Sequence, residues 1–164
     1  MIVILMGVTA SGKSTIAAEL VRLTGWSFAE GDNYHSAANK AKMHAGIPLT
    51  DEDRAPWLVS LHDVIASWVR NGQNGIMTCS ALKQAYRDVL TKNIPEGTCR
   101  FVLLEVPIAV LRQRIESRPG HFMNPDLLQS QLDTLELPQN ALRVDATGPP
   151  QVVAQNILSQ LTPA

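Results

Sequence analysis

The sequence predicts an α/β protein whose parallel sheet is covered by helices on both faces, and three observations lead there. Apolar runs of strand length recur along the chain, helical patterns separate them, and a glycine-rich turn joins the first run to the first helix. The runs are "IVIL" at 2–5, "SFAEGD" at 27–32, "GIMTC" at 75–79, "FVLLEV" at 101–106 and "ALRVD" at 141–145. Near-continuous apolar character suits strands buried on both faces; the second run, with its polar end, fits least well.

The helices are placed by their periodicity and punctuation. After the glycine turn, Ile16, Leu20 and Leu23 recur at helical spacing and Gly25 stops the helix. Leu61, Ile65 and Trp68 form the next stripe, with Gly72 as its stop. Thr50 and Asp53 have capping-box spacing, but a start at Thr50 puts Pro56 in the helix interior. Asp53 is therefore the expected N-cap. Leu82, Tyr86 and Val89 or Leu90 mark a third helix, and "PIAVLRQRIESR" a fourth that Pro119 and Gly120 end. A short helix from Asp126 to Leu135 and a last one from Gln151 to Leu161 follow.

At 164 residues the chain fits a single domain, since a chain near this length buries roughly 70% of its unfolded surface. No internal repeat or linker-like shift in composition divides it. Cys79 and Cys99 form neither a disulfide framework nor a metal pattern. A net charge of −1 gives no broad footprint for nucleic acid or an anionic membrane. No apolar run approaches the roughly 20 residues that span a bilayer, and "MIVILMG" lacks a basic leader. The expectation is a soluble protein of the cytoplasm.

"GVTASGKS", from Gly7 to Ser14, matches G-x-x-x-x-G-K-[ST] in the setting that pattern requires, after a strand and opening a helix. Glycines let the backbone curl round phosphate oxygens, so that successive N–H groups and the helix N-terminus face the anion. Gly7, Val8, Thr9, Ala10, Ser11, Gly12, Lys13, Ser14 and Thr15 are thus expected to hold the phosphates of a nucleoside triphosphate. Lys13 supplies a mobile charge and the Ser14 hydroxyl a ligand for Mg²⁺.

Several classes use such a loop. The guanine-reading Asn-Lys-x-Asp is absent, and "DATG" at 145–148 follows the last strand, where a switch element does not belong. Glu105 ends a strand as an acid of the motor ATPases would, but a solvated edge residue is the simpler reading. A small kinase remains, and its acceptor site should lie at the C-terminal ends of strands. "EGDNYH", "CSALKQAYRD" and "RPGHFM" qualify.

Together, "MGVTASGKST", "EGDNYH", "NKAKMHAGIPLTDEDRAPWL", "CSALKQAYRD" and "RPGHFMNPDLLQSQLDTLELP" resemble the successive signature blocks of the gluconate kinases, small P-loop kinases related in fold to shikimate and nucleoside monophosphate kinases. The resemblance covers the chain from Met6 to about Pro138. It implies ATP- and Mg²⁺-dependent phosphorylation of the 6-hydroxyl of D-gluconate, a homodimer, a three-layer α/β/α fold with five parallel strands in the order 2-3-1-4-5, and a helical lid over roughly 114–138. One departure is Thr9-Ala10, where relatives commonly carry Ser-Gly. Ala10 is expected to fit only with a negative φ.

Against that background Asp32 is the acid expected to accept or align the hydroxyl proton and to touch the Mg²⁺ shell with Ser14, its alternative role being the N-cap of the helix in "NYHSAANKAKM". His35 is expected to orient the substrate. Arg54 suits the gluconate carboxylate through its fork geometry, against a surface ion pair with Asp51 or Asp53. Lys83 and Arg87 lie four apart, on one helix face, for two contacts to the sugar acid. Arg114 and Arg118 are expected over the phosphates, with Arg118 catalytic, and His121 beside the substrate. Trp57 and Trp68 are read as core, Cys79 as an inert buried thiol, and the loop from Ala146 to Pro150 as a border of the base. Another acceptor on the same scaffold, or a non-catalytic ATP-binding module, stays open at this point.

Overall fold

Five parallel strands pair in the order β2-β3-β1-β4-β5, where β1 is Ile2–Met6, β2 Ser27–Glu30, β3 Gly75–Thr78, β4 Cys99–Glu105 and β5 Leu142–Asp145. The computed structural model describes residues 1–117 and 125–161. Alternation along β1 divides the core. Ile2, Ile4 and Met6 join one apolar cluster, Val3 and Leu5 the other.

The first face is covered by α3 (Asp51–Arg70), α4 (Gln84–Leu90), α5 (Ile108–Glu116) and α6 (Pro125–Thr134), which contribute Leu61, Ile65, Leu90, Leu111 and Leu128. Ile16 and Leu20 of α1 (Lys13–Thr24), with Ile157 and Leu161 of α7 (Pro150–Leu161), cover the second. Gly25 ends α1 in the left-handed conformation, as its sequence position predicts, but Leu23 stands outside the buried stripe at 38% exposure. Trp57 and Trp68 are both core residues.

The second strand stops at Glu30, two residues short of the predicted run. Gly31–Tyr34 turns into a single 3-10 turn, and α2 (Ala37–His44) follows. Close packing explains the stop. A Cβ on Gly31 would lie 2.0 Å from the Thr78 carbonyl oxygen, so only glycine lets this turn rest against β3.

The expected start of α3 is corrected. Thr50 is the N-cap, accepting from the Asp53 amide while the Asp53 carboxylate accepts from the Thr50 amide, and Pro56 does lie inside the helix. Proline there removes one donor, leaving the Glu52 carbonyl without its helical partner. Glu52 and Pro56 are both exposed, so the loss falls on the solvent side of the helix, and two capped amides offset it.

Candidate active site

The phosphate loop joins β1 to α1, and its shape follows from its glycines. Gly7 has φ +144°, and a Cβ there would meet Ser11 Oγ at 3.0 Å and the Leu104 carbonyl oxygen at 3.1 Å. Gly12, at φ +97°, is the N-cap of α1 and has no side chain to cap it. The helix N-terminus therefore keeps its capacity for an anion. Lys13 Nζ donates to the carbonyls of Gly7 at 2.9 Å and Val8 at 3.1 Å, folded over the loop it serves. Ser11 Oγ is buried with no hydrogen-bond partner among the described residues. Ala10 contradicts expectation, with φ +65° in the left-handed region. Arg114 Nη1 donates to its carbonyl at 3.0 Å and holds it there.

A cavity of about 610 Å³ opens beside the loop at the C-terminal ends of β1, β2 and β3. Lys13, Ser14, Glu30, Asp32, His35, Arg54, Trp57 and Gln131 are among its walls. This is the crevice where strand order reverses, with β3 and β2 on one side of β1 and β4 and β5 on the other. At least five segments far apart in sequence meet there, the one at Ser80 and Leu82 after β3 included.

Asp32 sits in the 3-10 turn, exposed to the cavity. Its alternative role is excluded by geometry: Ser36 caps α2, accepting from the Asn39 amide at 3.1 Å. Glu30, which sequence reasoning passed over, is the better anchored acid. Ser14 Oγ donates to its Oε2 at 2.7 Å and Thr78 Oγ1 to its Oε1 at 2.6 Å, while Thr78 accepts from the Gly31 amide. Its signal was present in "EGD", two acids at one strand end. Ser14, Glu30 and Asp32 offer hard oxygen donors beside a phosphate loop, a set that fits Mg²⁺, which takes one or two carboxylates and completes its shell with phosphates and water.

His35 is buried and stacks on Trp57, with ring centroids 4.1 Å apart, while Trp57 Nε1 donates to the Gly31 carbonyl at 2.8 Å. Burial pushes the His35 pKa below the usual imidazole value, outweighing the upward pull of Asp32. Arg54 pairs with neither Asp51 nor Asp53, the alternative to its expected substrate role. Its Nη1 donates to the Leu49 carbonyl at 2.8 Å and to the Tyr86 hydroxyl at 3.1 Å, and its guanidinium lies 5.3 Å from the Tyr86 ring centroid. The nearby acids are engaged elsewhere: Asp53 with Lys42 at 2.8 Å, Asp51 with Lys83 at 3.2 Å and with the Tyr86 hydroxyl. Hydrogen bonding from Lys42 first, then from Thr50, lowers Asp53 to about 2.

The structure does not bring Lys83 and Arg87 together on one helix face. Lys83 is the N-cap of α4 with extended backbone, so its side chain leaves before the helical register begins. Arg87 is buried, its Nη1 on the Ala81 carbonyl at 2.7 Å and its Nη2 on the Glu136 carbonyl at 2.8 Å. Neither lines the cavity. Arg118 and His121 lie outside the described residues.

Arg114 bridges the phosphate loop and the segment after β5, with Nη2 on the Ala146 carbonyl at 2.9 Å. A smaller cleft of about 230 Å³ lies beside it, lined also by Thr15, Gly148 and Pro150. Cys79 is fully enclosed and its thiol is pushed up to about 12 by burial, so it is no nucleophile. Glu105, at the C-terminal end of β4, pairs with Arg143 of β5 at 2.7 Å and is not part of the cavity.

Comparison with known proteins extends this picture. Residues 2–138 match the family described as AAA domain. The chain is 42% identical over 158 residues to a gluconokinase of Gluconobacter oxydans (strain 621H), covering 94% of this chain and 88% of the relative. A solved gluconokinase from Sinorhizobium meliloti 1021 superposes with a TM-score of 0.87 at 40% identity, covering 97% of this chain and 90% of that one. A shikimate kinase from Aquifex aeolicus vf5, at 20% identity and a TM-score of 0.61 over 98% of this chain and 96% of its own, shares the fold alone. Identity at that level along nearly the full length of both chains, on a phosphate loop placed as described, makes this protein a member of the gluconokinase family.

Proposed function

We propose that the protein transfers the terminal phosphoryl group of ATP to the 6-hydroxyl of D-gluconate, giving 6-phospho-D-gluconate and ADP. One observation carries the reading: a single cavity brings Lys13, Asp32 and Arg54 together at the mouth of the phosphate loop. The loop amides and Lys13 bind the phosphates, and the cleft of Arg114, Gly148 and Pro150 receives the base. The Arg54 guanidinium, already oriented by Leu49 and Tyr86, pairs with the gluconate carboxylate. The apolar stack of His35 and Trp57 forms the floor between them.

As the bond from O6 to phosphorus forms, the bond from phosphorus to the ADP oxygen breaks, and the hydroxyl proton passes to the Asp32 carboxylate. Magnesium, when bound, offsets charge on the phosphate oxygens, and Ser14, Glu30 and Asp32 are the residues to hold it. A lid over 114–138 with phosphate contacts from Arg118 and a substrate contact from His121, a homodimer, no nucleic-acid or membrane partner and a cytoplasmic location belong to the same proposal. It is in keeping with the last that no helix of the described residues is long and apolar enough to cross a membrane.

A coupled assay of ADP release with D-gluconate, shikimate and nucleoside monophosphates offered in turn tests the acceptor; turnover with gluconate alone is expected. Asp32→Ala should lower kcat by about 100-fold or more while ATP-analogue binding holds. No turnover with any of these acceptors would leave only an ATP-binding module.

A further inference from the structure

Helix α6 brings one side chain to the phosphate loop that no role above uses. Gln131 Oε1 accepts a hydrogen bond from the Thr9 amide at 2.7 Å, across 122 positions of sequence. Gln131 is also part of the cavity wall that holds Lys13, Asp32 and Arg54. Its Nε2 donates to none of the described residues. We propose that Gln131 contacts the transferring phosphoryl group, its carboxamide N–H donating to a terminal phosphate oxygen of ATP. The inference rests on the kinase reading given above.

The chemistry of the amide supports this. Because the Thr9 N–H is a donor, the carboxamide must turn its oxygen toward the loop, and its two N–H donors then occupy the other end. A neutral donor fixed beside the loop that cradles phosphates suits an anionic oxygen, and it adds no charge that would hold the product. The helix is well anchored for such a task. Leu127 and Leu128 are buried, the Glu136 amide donates to the Leu82 carbonyl at 2.7 Å, and Arg87 Nη2 holds the Glu136 carbonyl. Gln131 thus comes to the loop from a braced helix, not from a loop side chain that must first be ordered.

Two variants separate this role from that of a plain latch. Gln131→Glu keeps an oxygen to accept from the Thr9 amide but replaces the donor with an anion. Gln131→Met keeps the volume and removes both functions. Affinities for ADP and for a non-hydrolysable ATP analogue are measured by calorimetry, with melting temperature and steady-state kinetics on gluconate alongside. For Gln131→Glu the expected result is an unchanged melting temperature, ADP affinity within about twofold, analogue affinity down about tenfold or more and kcat down about 100-fold. Gln131→Met should show the same selectivity to a lesser degree. Wild-type kinetics and analogue affinity in Gln131→Glu would overturn the proposal, leaving a latch. So would an equal loss of ADP and analogue affinity in both variants, which would mean a distorted loop. Failure of the wild-type protein to phosphorylate gluconate would strike the functional reading itself, and analogue-over-ADP selectivity in the same calorimetry would still decide the role of Gln131.

Discussion

At Ala10 a single methyl group conflicts with the backbone. The left-handed conformation at φ +65° brings an L-residue's Cβ too close to the following carbonyl, a strain of about 1–2 kcal/mol, and the Arg114 bond holds the residue there. Ala10→Gly should relieve it. Glycine's larger unfolded-state entropy takes back part of the gain, so a net stabilisation of about 0.5–1 kcal/mol is expected in urea unfolding. A loss of stability would show that the strain is not there. His35 gives the pH dependence. Burial lowers its folded pKa below the unfolded value of 6.5, so between those values the unfolded chain binds a proton that the native one refuses. Stability from this residue is intact above pH 6.5 and declines as pH falls below it, by at most about 1.4 kcal/mol per pH unit. His35→Phe keeps a ring on Trp57 and removes the proton. Its melting temperature should fall less than that of the wild type between pH 7.5 and 5.5. Sequence alone marked Asp32 and His35 but not Glu30, because only the pairing of β2 with β3 sets Glu30 beside Thr78.

Among the elements, α4 and α6 share a fastening that periodicity does not disclose. Arg87 is only 2% exposed, and its guanidinium satisfies the Ala81 and Glu136 carbonyls, joining the loop after β3 to the end of α6. The Gln84 amide adds a bond to the Glu136 carboxylate at 2.8 Å. Arg87→Met fills much of the space but leaves those two carbonyls unpartnered. A destabilisation of roughly 2–4 kcal/mol is expected by urea unfolding, with the gluconate KM changed little if Arg87 does not touch substrate. A selective rise in that KM with stability unchanged would restore Arg87 to the substrate site. Helix α3 carries the complementary lesson. Proline in its sixth position argued for a later start, yet a local capping box and solvent on the proline face outweighed one absent hydrogen bond.

For the whole molecule, strand order determines what can meet. With β1 between β3 and β4, the phosphate loop opens beside the ends of β3 and β2, so a nucleotide and an acceptor would fill one crevice shared by the loop, the end of β2 and the helices around them. Binding there should be felt as global stability. At a hundred times its dissociation constant, ATP analogue with Mg²⁺ should add about 2.7 kcal/mol, raising the melting temperature by roughly 5–10 °C. Lys13→Ala should lose most of that shift, since the loop amides remain but the mobile charge is gone. An equal shift in both proteins would place the nucleotide elsewhere.

The sequence by itself determined the alternation of strands and helices, the phosphate loop, the acid-bearing end of β2 and membership of a kinase family. Each of these is local: a period, a glycine where the chain must curl, a short string of residues whose chemistry works through its own backbone. Only the tertiary structure decided that Glu30 is held by Ser14 and Thr78, that Arg54 faces the cavity while Arg87 braces the fold, and that Gln131 reaches Thr9. Those outcomes depend on parallel pairing and helix docking between segments tens of residues apart, where competition among nearby donors and acceptors sets each partner. No window along the chain contains both sides of that competition.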